Sequence, residues 1–231
     1  MRAPEKAMDV GRMTLTVPTK TTKPEPKPVV FIVDDDISIR ESLELLIDSA
    51  GWNAETFTCA QEFLARSRPN GPSCLLLDVS LPGLNGLDLQ ERIRSDRPEM
   101  PIIFISGQGD IPVTVRAMKA GAIEFLEKPY GEQAVLAAVR HALERSQATL
   151  SVRQKSQATR DAYASLTPRE RDVMSLVVSG LLNKQVGGEL GISEITVKTH
   201  RGNAMRKMNA KSLADLVNMA AELGVASPKR R

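Results

Sequence analysis

The hydrophobic pattern along this 231-residue chain changes character more than once. Residues 1–28 show no apolar period and carry Pro4, Pro18, Pro24, Pro26 and Pro28, so they read as a disordered leader. Order is expected to begin abruptly at VVFIVDDD, five apolar residues followed by three aspartates. A run that is apolar at every position suits a strand covered on both faces, as in a parallel sheet between helices. Similar runs at 74–77, 102–105 and 123–126 predict three more buried strands, and 54–57 a shorter one. Between them, apolar residues recur at helical spacing over 39–49 (Leu43, Leu46 and Ile47 on one face), 60–66, 86–94, 112–120 and from 131 onward. Strand and helix alternating five times predict one doubly wound α/β domain with a five-stranded parallel sheet, over 29–145.

Beyond that domain the pattern becomes helical throughout. Neither proline nor glycine occurs from Glu132 to Ala164, and the apolar period fades after Leu150. This predicts a partly exposed helical linker over 146–164. A flexible coil is the alternative, because a polar helix needs support from outside. Thr167-Pro168-Arg169-Glu170 is a capping box with proline at the first helical position, which starts a helix that ends near Gly180. A short helix over 183–190, a Gly191-Ile192-Ser193 turn and a longer helix to about Met208 follow. Ser212 and Asp215 frame a last helix that stops near Gly224. Short helix, glycine-containing turn and longer helix form the helix-turn-helix pattern, within a four-helix unit over 165–225 and ahead of a basic tail over 226–231.

Charge sharpens this division. The net charge of +3 combines +3 over 1–28, −7 over 29–145 and +7 over 146–231, so only the last part suits a polyanionic partner. On the longer helix, Val197, Ala204, Met205 and Met208 form the expected core stripe. Thr196, Lys198, Thr199, Arg201, Gly202, Asn203 and Arg206 are expected to face outward. A cationic face bearing amides and hydroxyls can read base edges and bind phosphates in a major groove. Glycine is unfavourable within helices by about 1 kcal/mol relative to alanine, which makes Gly187, Gly188 and Gly202 costly positions. Close approach of two helices would account for Gly187.

In the acidic half the polar residues gather where the strands end. Asp34–Asp36, Asp78, Ser106 and Lys128 follow strands one, three, four and five, and open parallel sheets bind ligands beyond the carboxyl ends of their strands. Singly, these residues have ordinary uses, such as an aspartate capping the first helix or a solvated lysine. Together they place several carboxylates in one crevice, a repulsion that Mg²⁺, with its preference for oxygen ligands, resolves. Metal, lysine and hydroxyl together suit a phosphoryl group.

The segments VFIVDDD, LLLDVSLPGLNG, IFISGQGD and AMKAGAIEFLEKPY, followed by LTPRER, NKQVGGELGIS and TVKTHRGNAMRKM, resemble the response regulators of the FixJ/NarL family, most nearly the FixJ and styrene/toluene-regulator branch. The resemblance runs from about Val29 to Leu223. The separations from Asp35 to Asp78 (43), Asp78 to Ser106 (28) and Ser106 to Lys128 (22) follow the receiver pattern. It implies a flavodoxin-like, CheY-like receiver, a helical linker and a four-helix LuxR-type helix-turn-helix domain. Asp78 is then the phosphoacceptor for a sensor histidine kinase. Asp35, Asp78 and the backbone carbonyl of Ser80 hold Mg²⁺, with Asp34 acting through a water and Asp36 outside the ligand set. Lys128 contacts the phosphoryl group and precedes a cis Pro129, Ser106 is the switch hydroxyl, and Phe125 is its aromatic partner. Lys198, Thr199 and Gly202 fall at base-facing positions, and Lys184, Arg201 and Lys211 at backbone contacts. The resemblance also implies promoter DNA and RNA polymerase as partners, and a homodimer formed on phosphorylation through residues 112–145. Activation of transcription is the usual outcome in the family. Gln108 stands where the FixJ branch usually has histidine, and Ser106 where threonine is commoner.

Two other readings of the residues remain open at this stage. An Mg²⁺-dependent phosphohydrolase would form an aspartyl-phosphate too, but such enzymes place a second acid two residues after the nucleophile, where Ser80 stands. A receiver that works without phosphorylation, as a constitutive DNA-binding scaffold, would not need the full acidic set. No stretch is long and apolar enough for a membrane span or a secretory signal, so a cytoplasmic protein is expected, with no membrane partner. Met8 and Met13 offer later translation starts within the leader. Cys59 and Cys74 lack metal-ligand spacing and are expected to be buried thiols. His141 and His200 are expected on a helix surface and in a packing or phosphate-contact role, respectively.

Overall fold

The computed structural model describes residues 27–107 and 111–225. Residues 1–26 of the expected leader, the basic tail and Gln108 lie outside them. Five strands form one parallel sheet: β1 (Val29–Val33), β2 (Asn53–Phe57), β3 (Ser73–Asp78), β4 (Ile102–Ser106) and β5 (Glu124–Glu127), in the order β2-β1-β3-β4-β5. Helices α1 (Ile37–Ser49), α2 (Ala60–Ala65), α3 (Gly86–Asp96), α4 (Ile111–Lys119) and α5 (Glu132–Ala164) connect or follow them. The continuous apolar strands are explained by two cores, one on each face. Phe31, Leu75, Leu77 and Phe104 point toward α2, α3 and α4, while Val30, Ile32, Leu76 and Ile103 point toward α1 and α5. The chain passes from β1 outward to β2 and returns to β3 on the other side. The crevice for a ligand therefore opens where β1 and β3 end.

Helix α5 is continuous for 33 residues. Its first half packs on the sheet through Val135, Val139 and Leu143. The buried Ser146 hydroxyl accepts a hydrogen bond from the Ser73 amide at 3.1 Å, fixing α5 to the start of β3. Farther along, Arg153 pairs with Glu99 at 2.9 Å, and Ala162 and Tyr163 join the core of the C-terminal helices.

Those helices are α6 (Pro168–Val178), α7 (Asn183–Leu190), α8 (Glu194–Lys207) and α9 (Leu213–Glu222). The capping box at α6 is complete: Thr167 Oγ1 accepts from the Glu170 amide, and Glu170 Oε2 accepts from the Thr167 amide. Gly191 ends α7 in the left-handed region (φ 65°), as a residue without a side chain can. A Cβ on Gly187 would lie 2.7 Å from the Ile192 carbonyl oxygen, so the backbone of the turn, and not a helix crossing, requires that glycine. Gly188 and Gly202 face open space. Val197 and Ala204 are buried as expected and Met208 caps the core, whereas Met205 is only half-buried. Of the two free thiols, Cys74 is buried, and burial pushes it far above its usual pKa. Cys59 is half-buried, contrary to expectation, because it lies at the entrance to α2.

Candidate functional site

The crevice is built by two strand ends meeting one lysine. Asp34 directly follows β1 and is 1% exposed, and Asp78 ends β3 and is 7% exposed. Lys128 follows β5 and reaches back between them, its Nζ 2.8 Å from Asp34 Oδ2 and 2.9 Å from Asp78 Oδ2. The Lys128–Pro129 peptide is cis. Each aspartate also uses its second oxygen locally: Asp34 Oδ1 accepts from the Asp36 amide, and Asp78 Oδ1 from the Ser80 amide, both at 2.9 Å. Arg40 Nη1 donates to the Asp34 carbonyl at 2.7 Å, a brace that no sequence signal indicated. Asp36 takes the ordinary role of helix cap, accepting from the Ser38 amide at 2.8 Å.

Burial raises the Asp34 carboxyl above its usual range, with Lys128 and the Asp36 amide opposing part of that effect. For Lys128, burial acts to lower the pKa, but the hydrogen bonds and charges of Asp34 and Asp78 outweigh it and hold the ammonium above its ordinary value. Burial likewise raises half-buried Tyr130, which feels the charges of all three groups.

Carboxylate oxygens of Asp34, Asp35 and Asp78 lie within 4.8 Å of one another, with Asp35 exposed at the mouth. Three carboxylates and one ammonium leave a formal charge of −2, and every protein donor available is oxygen. A divalent hard cation such as Mg²⁺ fits both facts. Ser106 is buried at the end of β4, and its carbonyl accepts from the Lys128 amide at 2.7 Å. Phe125 is half-buried on β5, its ring 6.3 Å from that of Phe104 in the core facing α4. The crevice residues named from sequence are thus all at or beside the ends of neighbouring strands.

The second place is α8. At 100° per residue, Ile195, Lys198, Thr199, Gly202 and Arg206 fall within about 100° of its circumference, and all five are exposed. Thr196, Arg201 and Asn203, expected to face outward, are half-buried on the flanks. Thr196 shares a hydrogen bond with Ser193 at the helix start (2.8 Å). Arg201 donates to Asn183 on α7 (3.1 Å), joining the two helices of the motif, and Asn203 accepts from Arg206 (3.1 Å). Lys184 and Lys211 are exposed, His200 is half-buried, and His141 lies exposed on α5. Sequence reasoning missed Ile195, because an apolar residue at the start of an amphipathic helix is ordinarily assigned to the core.

The chain matches the response regulator receiver domain over residues 30–140 and the bacterial regulatory proteins, luxR family, over 164–220. It is 48% identical over 206 residues to nodulation protein W of Bradyrhizobium diazoefficiens, covering 89% of this chain and 91% of that protein. It is 44% identical over 200 residues to response regulator protein TodT of Pseudomonas putida, covering 84% and 86%. The solved structure of the response regulator StyR superposes with a TM-score of 0.79 at 49% identity, over 85% of this chain and 100% of that one. A parallel sheet with an acidic crevice, a helix-turn-helix and relatives spanning both therefore lead to one assignment: the chain belongs to the FixJ/NarL response regulators, DNA-binding transcription factors of two-component systems and not enzymes.

Proposed function

We propose that Asp78 is the residue through which this regulator is switched, with residues 29–145 as receiver, 146–164 as linker and 165–225 as DNA-binding domain, in the cytoplasm. The observation that carries this is the buried carboxylate of Asp78 held 2.9 Å from Lys128 Nζ, beside two further carboxylates. A carboxylate oxygen of Asp78 attacks the phosphorus of a phosphohistidine on a sensor kinase. The nitrogen–phosphorus bond breaks, and an acyl phosphate forms. Asp35, Asp78 and the Ser80 carbonyl would hold Mg²⁺, with Asp34 acting through a water. The bound cation supplies charge neutralisation to the phosphoryl oxygens. Lys128, at present shared between Asp34 and Asp78, turns to a phosphoryl oxygen. The buried Ser106 hydroxyl follows the new charge, and Phe125 moves into the space this frees.

The face formed by residues 112–145 then dimerises, matching two helix-turn-helix units to paired half-sites in promoter DNA. Lys198, Thr199 and Gly202 address bases, while Lys184, Arg201, Arg206 and Lys211, with Thr196 and Asn203, set the position on the backbone. Contact with RNA polymerase would complete activation. The test is full-length protein treated with acetyl phosphate and Mg²⁺, followed by sedimentation and promoter-DNA titration. Wild type is expected to take up one phosphoryl group, dimerise and bind more tightly. The proposal is overturned if Asp78→Asn gains the same dimerisation and affinity.

A further inference from the structure

Ile195 is 80% exposed, more than any other large apolar side chain among the described residues. One exposed isoleucine is unremarkable on a protein surface, but its place is unusual. It is the second residue of α8, two positions after Ser193, whose side chain caps the helix. The N-terminal residues of a recognition helix are those that meet base edges in a major groove. Its neighbours on the exposed stripe are Lys198 and Thr199 one turn on, and Gly202 two turns on. Exposed Thr199 donates its hydroxyl to the Ile195 carbonyl at 3.1 Å, which leaves its methyl as the group with no internal bond to satisfy.

Gly202 is the second unusual residue of the stripe. Its backbone lies outside the left-handed region, and a Cβ there would meet nothing within 4 Å, so the fold itself does not need glycine at this point. Apart from the helix propensity it sacrifices, the missing side chain changes how closely another molecule can approach the middle of the stripe. An apolar tip, a methyl and a bare backbone, flanked by Lys198 and Arg206, describe a surface for an apolar group embedded in a polyanion. In duplex DNA the major groove offers one such group, the 5-methyl of thymine.

We propose that Ile195 is a specificity-determining residue that packs against a thymine methyl, with Gly202 allowing α8 to lie close enough for that contact. This rests on the reading of α8 as the DNA-reading helix and adds to it an apolar element of base recognition. Lys198 and Arg206 supply the charge that holds the helix in the groove, and Ile195 supplies discrimination that charge cannot give.

The experiment uses the full-length protein with acetyl phosphate and Mg²⁺ to select duplexes from a pool with a random core, in parallel with Ile195→Ala. The duplex selected by wild type is then remade with deoxyuridine replacing each thymine singly, which deletes only the methyl group. At one or two positions per half-site, uridine is expected to weaken wild-type binding about fourfold, the value for one buried methyl, and to leave Ile195→Ala binding unchanged. Ile195→Ala should lose the preference for those thymines while keeping its salt dependence, whereas Lys184→Ala, at a backbone contact, should reduce the salt slope by about one. Circular dichroism of the variants verifies that the exposed substitution leaves the helices intact. The inference is overturned if Ile195→Ala selects the same thymines, or if uridine weakens both proteins equally. If wild type enriches no sequence at all, the underlying assignment of α8 as the reading helix fails instead.

Discussion

Replacing Lys128 with Met keeps the length of the side chain but removes the one ammonium held between Asp34 and Asp78. Those carboxylates are 1% and 7% exposed as residues, and they lie no more than 4.8 Å apart together with Asp35. At an effective dielectric of about 20, two unit charges at that separation repel by roughly 3 kcal/mol. Breaking a buried pair from one side costs about 3–5 kcal/mol, and the partial exposure of Lys128 argues for the lower end. Lys128→Met is therefore expected to destabilise the receiver by about 3 kcal/mol at pH 7 in the presence of a chelator. The chain contains a single tryptophan, Trp52, packed against the core beneath α1, so its fluorescence during urea unfolding reports on this domain alone. Two partners test the mechanism. Adding Asp34→Asn removes one of the opposed charges and should recover about half or more of the loss, and millimolar Mg²⁺ should recover part of it without any second substitution. The reasoning is refuted if Lys128→Met costs under about 1 kcal/mol, or if the double variant is as unstable as the sum of the singles.

Four further outcomes follow from the packing and the ion pairs. A Cβ on Gly86 would lie 2.5 Å from the Asp78 carbonyl oxygen and 3.1 Å from Val79 Cα; Gly86→Ala should cost about 1–3 kcal/mol by urea unfolding and also impair phosphorylation. Gly202→Ala meets no obstacle and should stabilise the C-terminal helices by up to about 1 kcal/mol, measured by thermal unfolding, while weakening DNA binding. Ser146→Ala leaves the buried Ser73 amide without its acceptor and should cost about 1–3 kcal/mol on the Trp52 signal. Lys207 bonds Glu170 at 2.6 Å and holds that carboxyl below its ordinary 4.5. Because the folded pKa is depressed, this contribution is present above about pH 4.5 and is lost as pH falls through the folded value. Lys207→Met should thus lower the melting temperature near pH 7 and converge with wild type in acid.

The α/β half was legible because each strand is buried on both faces, so Val29–Val33 and Ile102–Ser106 had to be apolar throughout and their polar successors had to mark the ends. Spacing then put Asp34, Asp78, Ser106 and Lys128 in one crevice, though nothing local revealed that Lys128 bridges both aspartates or that Arg40 braces the Asp34 carbonyl. Those contacts join residues far apart in sequence or depend on a side chain's reach. On α8 the charge content was readable but the angular position of each residue was less so. Thr196, Arg201 and Asn203 lie on the flanks, where capping and the bond to Asn183 occupy them. Ile195 was hidden by the rule that apolar residues turn inward, and a functional surface is a place where that rule is broken.

The linker shows why helix against coil could not be decided from composition. Beyond Leu150 the residues of α5 are mostly polar, and a helix of that kind is marginal in water when isolated. What the sequence could not display is that this stretch is supported from both ends. Ser146 is anchored to the Ser73 amide, Arg153 reaches Glu99, and Ala162 and Tyr163 are packed into the C-terminal core. Arg171 continues that support by donating to the Ala164 carbonyl at the end of the helix and lying 5.2 Å over the Tyr163 ring. With its first turns fixed by the receiver core and its last by the DNA-binding core, the intervening helix needs only propensity, and the absence of glycine and proline supplies it. The same supports give a route for coupling: a displacement of the α5 start on the receiver would be carried along the continuous helix to the core on which α8 is mounted. Inserting two glycines near Gln157 would interrupt that helix while leaving both anchors. Phosphorylation of Asp78 and the affinity of the isolated helix-turn-helix should then persist, and the dependence of one on the other should fall. If promoter affinity still responds fully to acetyl phosphate in that variant, measured at protein concentrations below dimerisation, the helix is a tether and not a transmitter.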